Sequence, residues 1–364
     1  MTKSELIMQV LRKYSLASGY DLTKSKYLPL IFEKLTTMND LTILSALPNI
    51  PRGVAEVVKV DESTAAAALS DLHMRGFIWV EEVTDEGPKY TFGDIGLFMD
   101  SILFDPRYDQ YGDELRDLWK RYWNEEHVLM YQKDALFRVL PVEGVSLSFE
   151  KVLDSIQIVP YEFVSGILKS ARRIAVQRCA CRVRERRCSN PLETCISLNN
   201  LADYTISRGI AREINYEEAM KIIIRCEELG LVHQTVNSNT PDVICNCCPC
   251  CCSFLRSILH YGKTLASMKS RFAPVFNEQL CAICDHKECV SRCIFGALSI
   301  RDGIINVDYD KCWGCGLCAR ACPYGAVEMR VIRDLDHIPT DGAKFFPFVS
   351  PYDPPSRKTF EELR

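Results

Sequence analysis

No apolar run in this 364-residue chain approaches the roughly 20 residues that a membrane-spanning helix needs. The opening Met1-Thr-Lys-Ser-Glu5 lacks the apolar core of a signal peptide, which points to the cytoplasm. An excess of one charge is also missing: 44 Lys and Arg stand against 48 Asp and Glu, a net of −4. With 47% hydrophobic residues this is the composition of an ordinary globular protein, long enough for two or three domains. There is no GxGxxG after a strand and no Walker signature, which weakens any self-sufficient flavin or nicotinamide enzyme.

Cysteine, by contrast, is abundant. Nineteen are far more than a core needs, and in a chain without an export signal they are more often metal ligands than disulfides. So many labile thiolates suggest an organism living with little oxygen. Eight of them organise the stretch Cys281–Cys322: Cys281, Cys284, Cys289 and Cys293, then Cys312, Cys315, Cys318 and Cys322. Thiolates spaced two residues apart let one tight loop wrap a cluster face. An internal repeat runs through the region, Cys293-Ile-Phe-Gly-Ala297 recurring as Cys322-Pro-Tyr-Gly-Ala326, with Gly296 and Gly325 where the chain must turn sharply. Between the halves, Ile300, Ile304, Ile305 and Val307 flank an Asp302-Gly303 hairpin turn whose strands can shield a cluster from water. Zinc also takes four cysteines, but its sites usually pair two separated C-x2-C hairpins, whereas three ligands here sit in one run.

These motifs resemble the bacterial-type dicluster ferredoxins over about fifty residues. The resemblance implies two [4Fe–4S] clusters with crossed ligation, Cys281, Cys284, Cys289 and Cys322 holding one, and Cys312, Cys315, Cys318 and Cys293 the other. Two features depart from the usual pattern. The first loop, Asp285-His-Lys-Glu288, is two residues longer, as in iron–sulfur subunits of multisubunit oxidoreductases, and Ile294 stands where proline is usual.

A second cysteine region lies upstream. The predicted strand Ile174-Ala-Val176 delivers Cys179-Ala-Cys181-Arg182, followed by Cys188 and Cys195. Further on, Cys245, Cys247, Cys248, Cys250, Cys251 and Cys252 place six thiols in eight positions. Adjacent cysteines do not readily form disulfides with each other. A Cys-Cys pair can ligate two irons, or one iron while its neighbour points away. The region therefore suggests one or more further iron–sulfur clusters, a single cluster of higher nuclearity drawing on both motifs, or structural zinc. Cys226, on a predicted helix Tyr216–Leu229, reads as a small core hydrophobe. Arginines crowd the region (Arg172, Arg173, Arg178, Arg182, Arg184, Arg186 and Arg187). Arg178, Arg182 and Arg184 are candidate cofactor-binding residues, since cations beside a thiolate cluster stabilise it, and they could equally bind an anion or form a solvated face. Residues 150–330 as a whole resemble uncharacterised dicluster ferredoxin-like proteins of anaerobes, in which CxCR and CNCCxCCC motifs precede the ferredoxin domain; the resemblance implies no activity.

Residues 1–35 read as helical, and 36–92 as three helices and a hairpin. Asp61 is a predicted N-cap for Glu62–Met74, Gly76 its stop, and an Asp85–Pro88 turn joins Phe77–Val83 to Lys89–Phe92. That order resembles a winged helix. Its charges disfavour DNA, because residues 1–100 hold ten Lys and Arg against fourteen Asp and Glu; protein docking fits better. The aromatics Tyr108, Tyr111, Trp119, Tyr122, Trp123 and Tyr131 read as packing between two helices, and His73 and His127 as partly exposed polar residues. A tail with Pro339, Pro347, Pro351, Pro354 and Pro355 reads as an extended arm.

The fold class expected is a multidomain α+β chain: a helical leader and winged-helix-like domain (1–100), a helical linker (101–150), a Cys-rich α/β domain (151–270), a dicluster ferredoxin domain (271–330) and the tail (331–364). The leading function is an iron–sulfur electron-transfer protein or oxidoreductase subunit with a redox protein as partner. The alternatives are a reductase acting on a small anion at the 179–252 centre, and a redox-sensing regulator.

Overall fold

Thr2 and Glu5 close a capping box on the first helix, α1 (Lys3–Ser18), and Leu6, Ile7, Val10, Leu11 and Tyr14 form its buried stripe. The computed structural model of the chain describes residues 1–130, 136–144, 147–148, 160–334 and 346–349. After α1 come α2 (Leu28–Leu35), α3 (Met38–Ser45), α4 (Pro51–Val58) and α5 (Glu62–Arg75), then a hairpin of β1 (Trp79–Thr84) and β2 (Gly87–Thr91). Asp61 caps α5 through the Thr64 N–H, and Gly76 ends it at φ +88°. The hairpin is tighter than the sequence suggests, because Gly87 and Pro88 are already strand residues.

Helices α6 (Ile95–Leu103) and α7 (Gly112–Glu125) follow, with Trp119, Tyr122 and Trp123 fully buried between helices. Tyr131 lies outside the described residues. His73 and His127 correct the reading of partly exposed residues, being 2% and 8% exposed. The His73 ring lies against Tyr90 and Tyr204 with Nδ1 3.0 Å from the Ile78 carbonyl, and the His127 ring packs on Tyr122.

The stretch expected to be a helical linker contributes strands as well: β3 (Phe137–Val139) and β4 (Leu147–Ser148). A 3-10 turn at Pro160–Glu162 and then α8 (Val164–Ser170) follow. Next come β5 (Ile174–Arg178), α9 (Ala180–Glu185), β6 (Glu193–Leu198), α10 (Asn199–Ser207), β7 (Ala211–Glu213), α11 (Tyr216–Glu228), β8 (Val232–Val236), β9 (Val243–Cys247), α12 (Ser253–Tyr261) and β10 (Ser267–Met268). Among the described residues these strands form a seven-stranded sheet in the order β10-β3-β8-β9-β6-β5-β7. Only β10 and β3 pair in parallel, so the middle region has an antiparallel sheet rather than the parallel one an α/β class implies. Both faces are covered. Ile174, Val176, Ile196 and Ile244 pack on α8 and α11, while Phe137, Cys195 and Val243 face the core of the N-terminal helices. Neighbouring strand residues point to opposite faces, which sends Cys195 one way and Ile196 the other.

The remainder is β11 (Phe272–Phe276), α13 (Glu278–Ala282), α14 (Glu288–Ser291), β12 (Leu298–Arg301), β13 (Ile304–Val307), α15 (Leu317–Arg320) and β14 (Val327–Val331). The strands β12 and β13 are the expected hairpin around Asp302-Gly303. A three-stranded sheet β11-β14-β4 joins this unit to the upstream chain, and a buried ion pair, Arg271 to both oxygens of Glu162 at 2.9 Å, joins them again. Most of the Pro-rich tail lies outside the described residues. Its segment 346–349 packs Phe348 on Trp79, with ring centroids 5.5 Å apart, and Phe346 on Tyr204.

Candidate metal centres

The eight C-terminal cysteines gather in two sets. Cys281, Cys284, Cys289 and Cys322 line one cavity together with Phe276, Ile305 and Ala326. Burial raises the Cys281 and Cys289 thiols, and the neighbouring thiols that add to the shift all belong to that set. Burial likewise raises Cys312 and Cys318, and takes Cys315 to about 12, the added thiol contributions coming from Cys293 and one another. Each set thus draws three thiols from one run and one from the other. The repeat reappears in the hydrogen bonding: the Ala297 N–H donates to Cys293 Sγ at 3.3 Å, and the Ala326 N–H to Cys322 Sγ at 3.2 Å. Gly296 and Gly325 supply the turns at φ +63° and +62° that aim these amides. Hydrogen bonds to ligand sulfurs are one of the features by which a protein tunes an iron–sulfur cluster. Gly314 serves differently, since a Cβ there would stand 2.1 Å from the Phe272 carbonyl oxygen. Four converging thiols in apolar surroundings, with amides on the sulfurs, form a donor set that fits an iron–sulfur cluster.

The ten upstream cysteines of the two motifs divide unequally. Six form a ring in which each thiol lies near enough to the next to shift its pKa, in the order Cys179, Cys181, Cys252, Cys247, Cys245, Cys195. Adjacent strands β5, β6 and β9 bring their ends to one place, and the first turns of α9 and α12 complete the ring with Cys181 and Cys252. The thiols alternate in acidity. Hydrogen bonds from neighbouring thiols lower Cys181 and Cys195, and Cys247 to about 6, while Cys179 and Cys245 are raised by theirs and Cys252 by burial. Six sulfurs at such close quarters repel one another once ionised, so cations are needed among them. A cavity beside the ring is walled by Phe104, Phe137, Val243 and Phe254. Cys188, Cys248, Cys250 and Cys251 stand apart from the ring as a second group. Cys226 is buried beneath that group with Leu231, and burial raises its thiol to about 12.

The arginines are largely engaged by protein partners. Arg178 turns away from the thiols to Asp109, at 2.6 Å, and to the Leu103 carbonyl. Arg172 and Arg173 pair with Asp203, Arg186 with Asp113 and Arg187 with Glu185. Arg184 is buried over the Trp123 ring at 4.6 Å and donates to Ser253 Oγ, which itself lies 3.4 Å from Cys181 Sγ. Arg182 belongs to both thiol groups. Burial opposes its charge, but Cys179, Cys248 and Cys247 hold its pKa above the ordinary value.

Several residues at the site escaped the sequence reading. Asp100 lines the cavity, its carboxyl pushed well up by burial and by Cys181, and no motif marks it. Gln234 Nε2 lies 3.5 Å from Cys252 Sγ. Trp313, visible only as a residue inside Cys312-Trp-Gly-Cys315, packs with Leu317 in one apolar cluster that includes Cys247 and Cys252 of the ring and Cys315 of the C-terminal sets.

Comparison with known proteins bears on the C-terminal unit. No solved structure matches the chain. The chain is 42% identical over 64 residues to the B subunit of the selenate reductase of Mesobacillus selenatarsenatis, covering 17% of this chain and 20% of that protein. It is 45% identical over 65 residues to a Halobacterium salinarum protein described as a dimethyl sulfoxide reductase iron-sulfur subunit, covering 17% and 24%. It is 34% identical over 106 residues to the formate hydrogenlyase subunit 2 of Escherichia coli, covering 28% and 50%. The chain thus spans between a fifth and a half of the length of these curated relatives. Among the described residues no helix is long and apolar enough to cross a membrane. Residues 305–328 match the 4Fe-4S binding domain family, so the chain carries a C-terminal ferredoxin-type domain for 4Fe–4S clusters.

Proposed function

We propose that the chain is an iron–sulfur electron-transfer protein or oxidoreductase subunit. In this reading Cys281, Cys284, Cys289 and Cys322 hold one [4Fe–4S] cluster, Cys293, Cys312, Cys315 and Cys318 a second, and the six-thiol ring a further iron–sulfur centre. Bound clusters supply one-electron redox chemistry. The chain's own part is to hold the thiolates, keep water from them, and fix one centre against the next. The observation that carries the reading is the apolar bridge of Trp313 and Leu317, continuous from Cys247 and Cys252 to Cys315. Such a bridge excludes water and sets two centres side by side. The acidic N-terminal helices and hairpin, with fourteen carboxylates against ten cations in residues 1–100, are the proposed docking surface for a redox partner. A small-anion reductase finds less support, because Arg178 already holds Asp109 and Arg184 holds Glu185.

The test is metal analysis and rapid mixing under anaerobic conditions. The isolated protein should contain at least eight irons, four for each cubane. A protein electron donor should reduce the ring centre markedly more slowly in Cys318→Ala than in the wild type. Iron near four, or an unchanged rate in the variant, would refute the reading.

A further inference from the structure

The second upstream group has a geometry of its own. The sulfurs of Cys188, Cys248, Cys250 and Cys251 all lie within 4.8 Å of one another. Three of the separations are tighter still: Cys188 to Cys248 and Cys188 to Cys251 are 3.8 Å, and Cys250 to Cys251 is 3.7 Å. Four sulfurs bound at about 2.3 Å around one tetrahedral metal stand about 3.8 Å apart along each edge. Thiolates on the four corners of a cubane must spread much further, to about 6 Å, because each binds a different iron. The tetrad therefore has the spacing of a single ion, not of a cluster.

The local structure explains why these four separate from the ring. Cys247 ends β9, where successive side chains point to opposite faces, so Cys247 turns into the ring and Cys248 away from it. The pair Cys251-Cys252 is split in the same way, with Cys252 at the N-cap of α12 facing the ring and Cys251 facing the tetrad. Cys188 arrives from the loop after α9, and Asn190 Nδ2 donates to its sulfur at 3.5 Å. Beneath, Cys226, Leu231 and Ile222 form an apolar floor. Cys248 and Cys251 are buried, Cys250 is half-buried and Cys188 is exposed, so an ion can enter from solvent.

We infer that Cys188, Cys248, Cys250 and Cys251 form a mononuclear tetrahedral site for one thiophilic divalent ion, zinc or iron, separate from the six-thiol ring. Four thiolates leave no open coordination position, so the ion acts as a clasp. It ties the loop after α9 to the loop between β9 and α12, next to the two helices whose first turns present Cys181 and Cys252 to the ring. The site stands whether or not the chain transfers electrons.

The experiment is analysis of zinc, iron and acid-labile sulfide in the anaerobically isolated full-length protein, wild type against Cys188→Ser and Cys250→Ser. Each variant should lose one metal equivalent with its sulfide unchanged. The lost metal identifies the ion: zinc, or an iron with no matching sulfide. Loss of several irons together with sulfide would make these cysteines cluster ligands, and no loss of metal would make them idle thiols; either overturns the inference. If neither variant folds, wild-type protein produced in cobalt-supplemented medium decides the matter. A tetrahedral cobalt–thiolate spectrum at one equivalent supports the site, and its absence overturns it.

Discussion

Two of the buried histidines, His73 and His127, make stability depend on pH in a calculable way. Burial, with Arg208 nearby, lowers His73 to about 4, and burial, with Arg184 nearby, lowers His127 to about 4. In the unfolded chain both return to about 6.5. Between these values the unfolded state binds protons that the folded state refuses, so stability is full above about pH 6.5 and falls as the pH drops towards 4. Linkage with these values gives about 1.3 kcal/mol for each ring between pH 7.5 and pH 5.5, and about twice that for both. Replacing His73 by asparagine keeps a donor for the Ile78 carbonyl but removes the titration. The variant should lose some stability at pH 7.5, yet its further loss on going to pH 5.5 should be about 1.3 kcal/mol smaller than that of the wild type. Urea unfolding followed by tryptophan fluorescence is a suitable assay, because Trp79, Trp119 and Trp123 lie in the same core as His73. Acid damage to metal centres affects both proteins alike and cancels in the comparison. Equal pH dependence in the two proteins would refute the reasoning.

Two other perturbations follow from the packing. Cys293→Ala and Cys318→Ala should damage the same cluster and Cys322→Ala the other, although Cys293 belongs to the first run and Cys322 to the second. Matching spectra for Cys293→Ala and Cys289→Ala would rule out crossed ligation. Phe348→Ala removes a buried ring stacked on Trp79 and should cost about 3–5 kcal/mol of unfolding free energy, read as a lower urea midpoint; a change below about 1 kcal/mol would mean that the tail does not pin the hairpin.

Local chemistry was the legible part. The Asp61 cap, the Gly76 stop, the Asp302-Gly303 hairpin and the repeated Gly-Ala turns depend on residues close in sequence, and their side chains suffice to define them. The spacing of the C-terminal cysteines likewise anticipates which thiols stand nearest one another. What the sequence concealed depends on distant neighbours. His73 is buried because Tyr204 packs over it and Arg208 lies beside it, more than a hundred residues later. The arginines looked available because their partners, Asp109, Asp203 and Asp113, belong to other elements. The division of the upstream cysteines into six and four follows from strand register and from which face each residue of a Cys-Cys pair occupies. A list of cysteine positions carries neither.

The interleaving of ring and tetrad along the chain also has a consequence for biosynthesis. Cys179 leaves the ribosome 73 residues before Cys252, the last member of the ring, and Cys188, Cys248, Cys250 and Cys251 of the tetrad all fall within that interval. At about 5–20 residues per second the earliest thiols wait about 4–15 s for their partners. Neither group of thiols can assemble from a locally folded segment, as those of a short zinc hairpin can. Throughout that wait the nascent chain presents unprotected thiols to any oxidant, and a premature disulfide within 179–195 would leave the later cysteines nothing to complete.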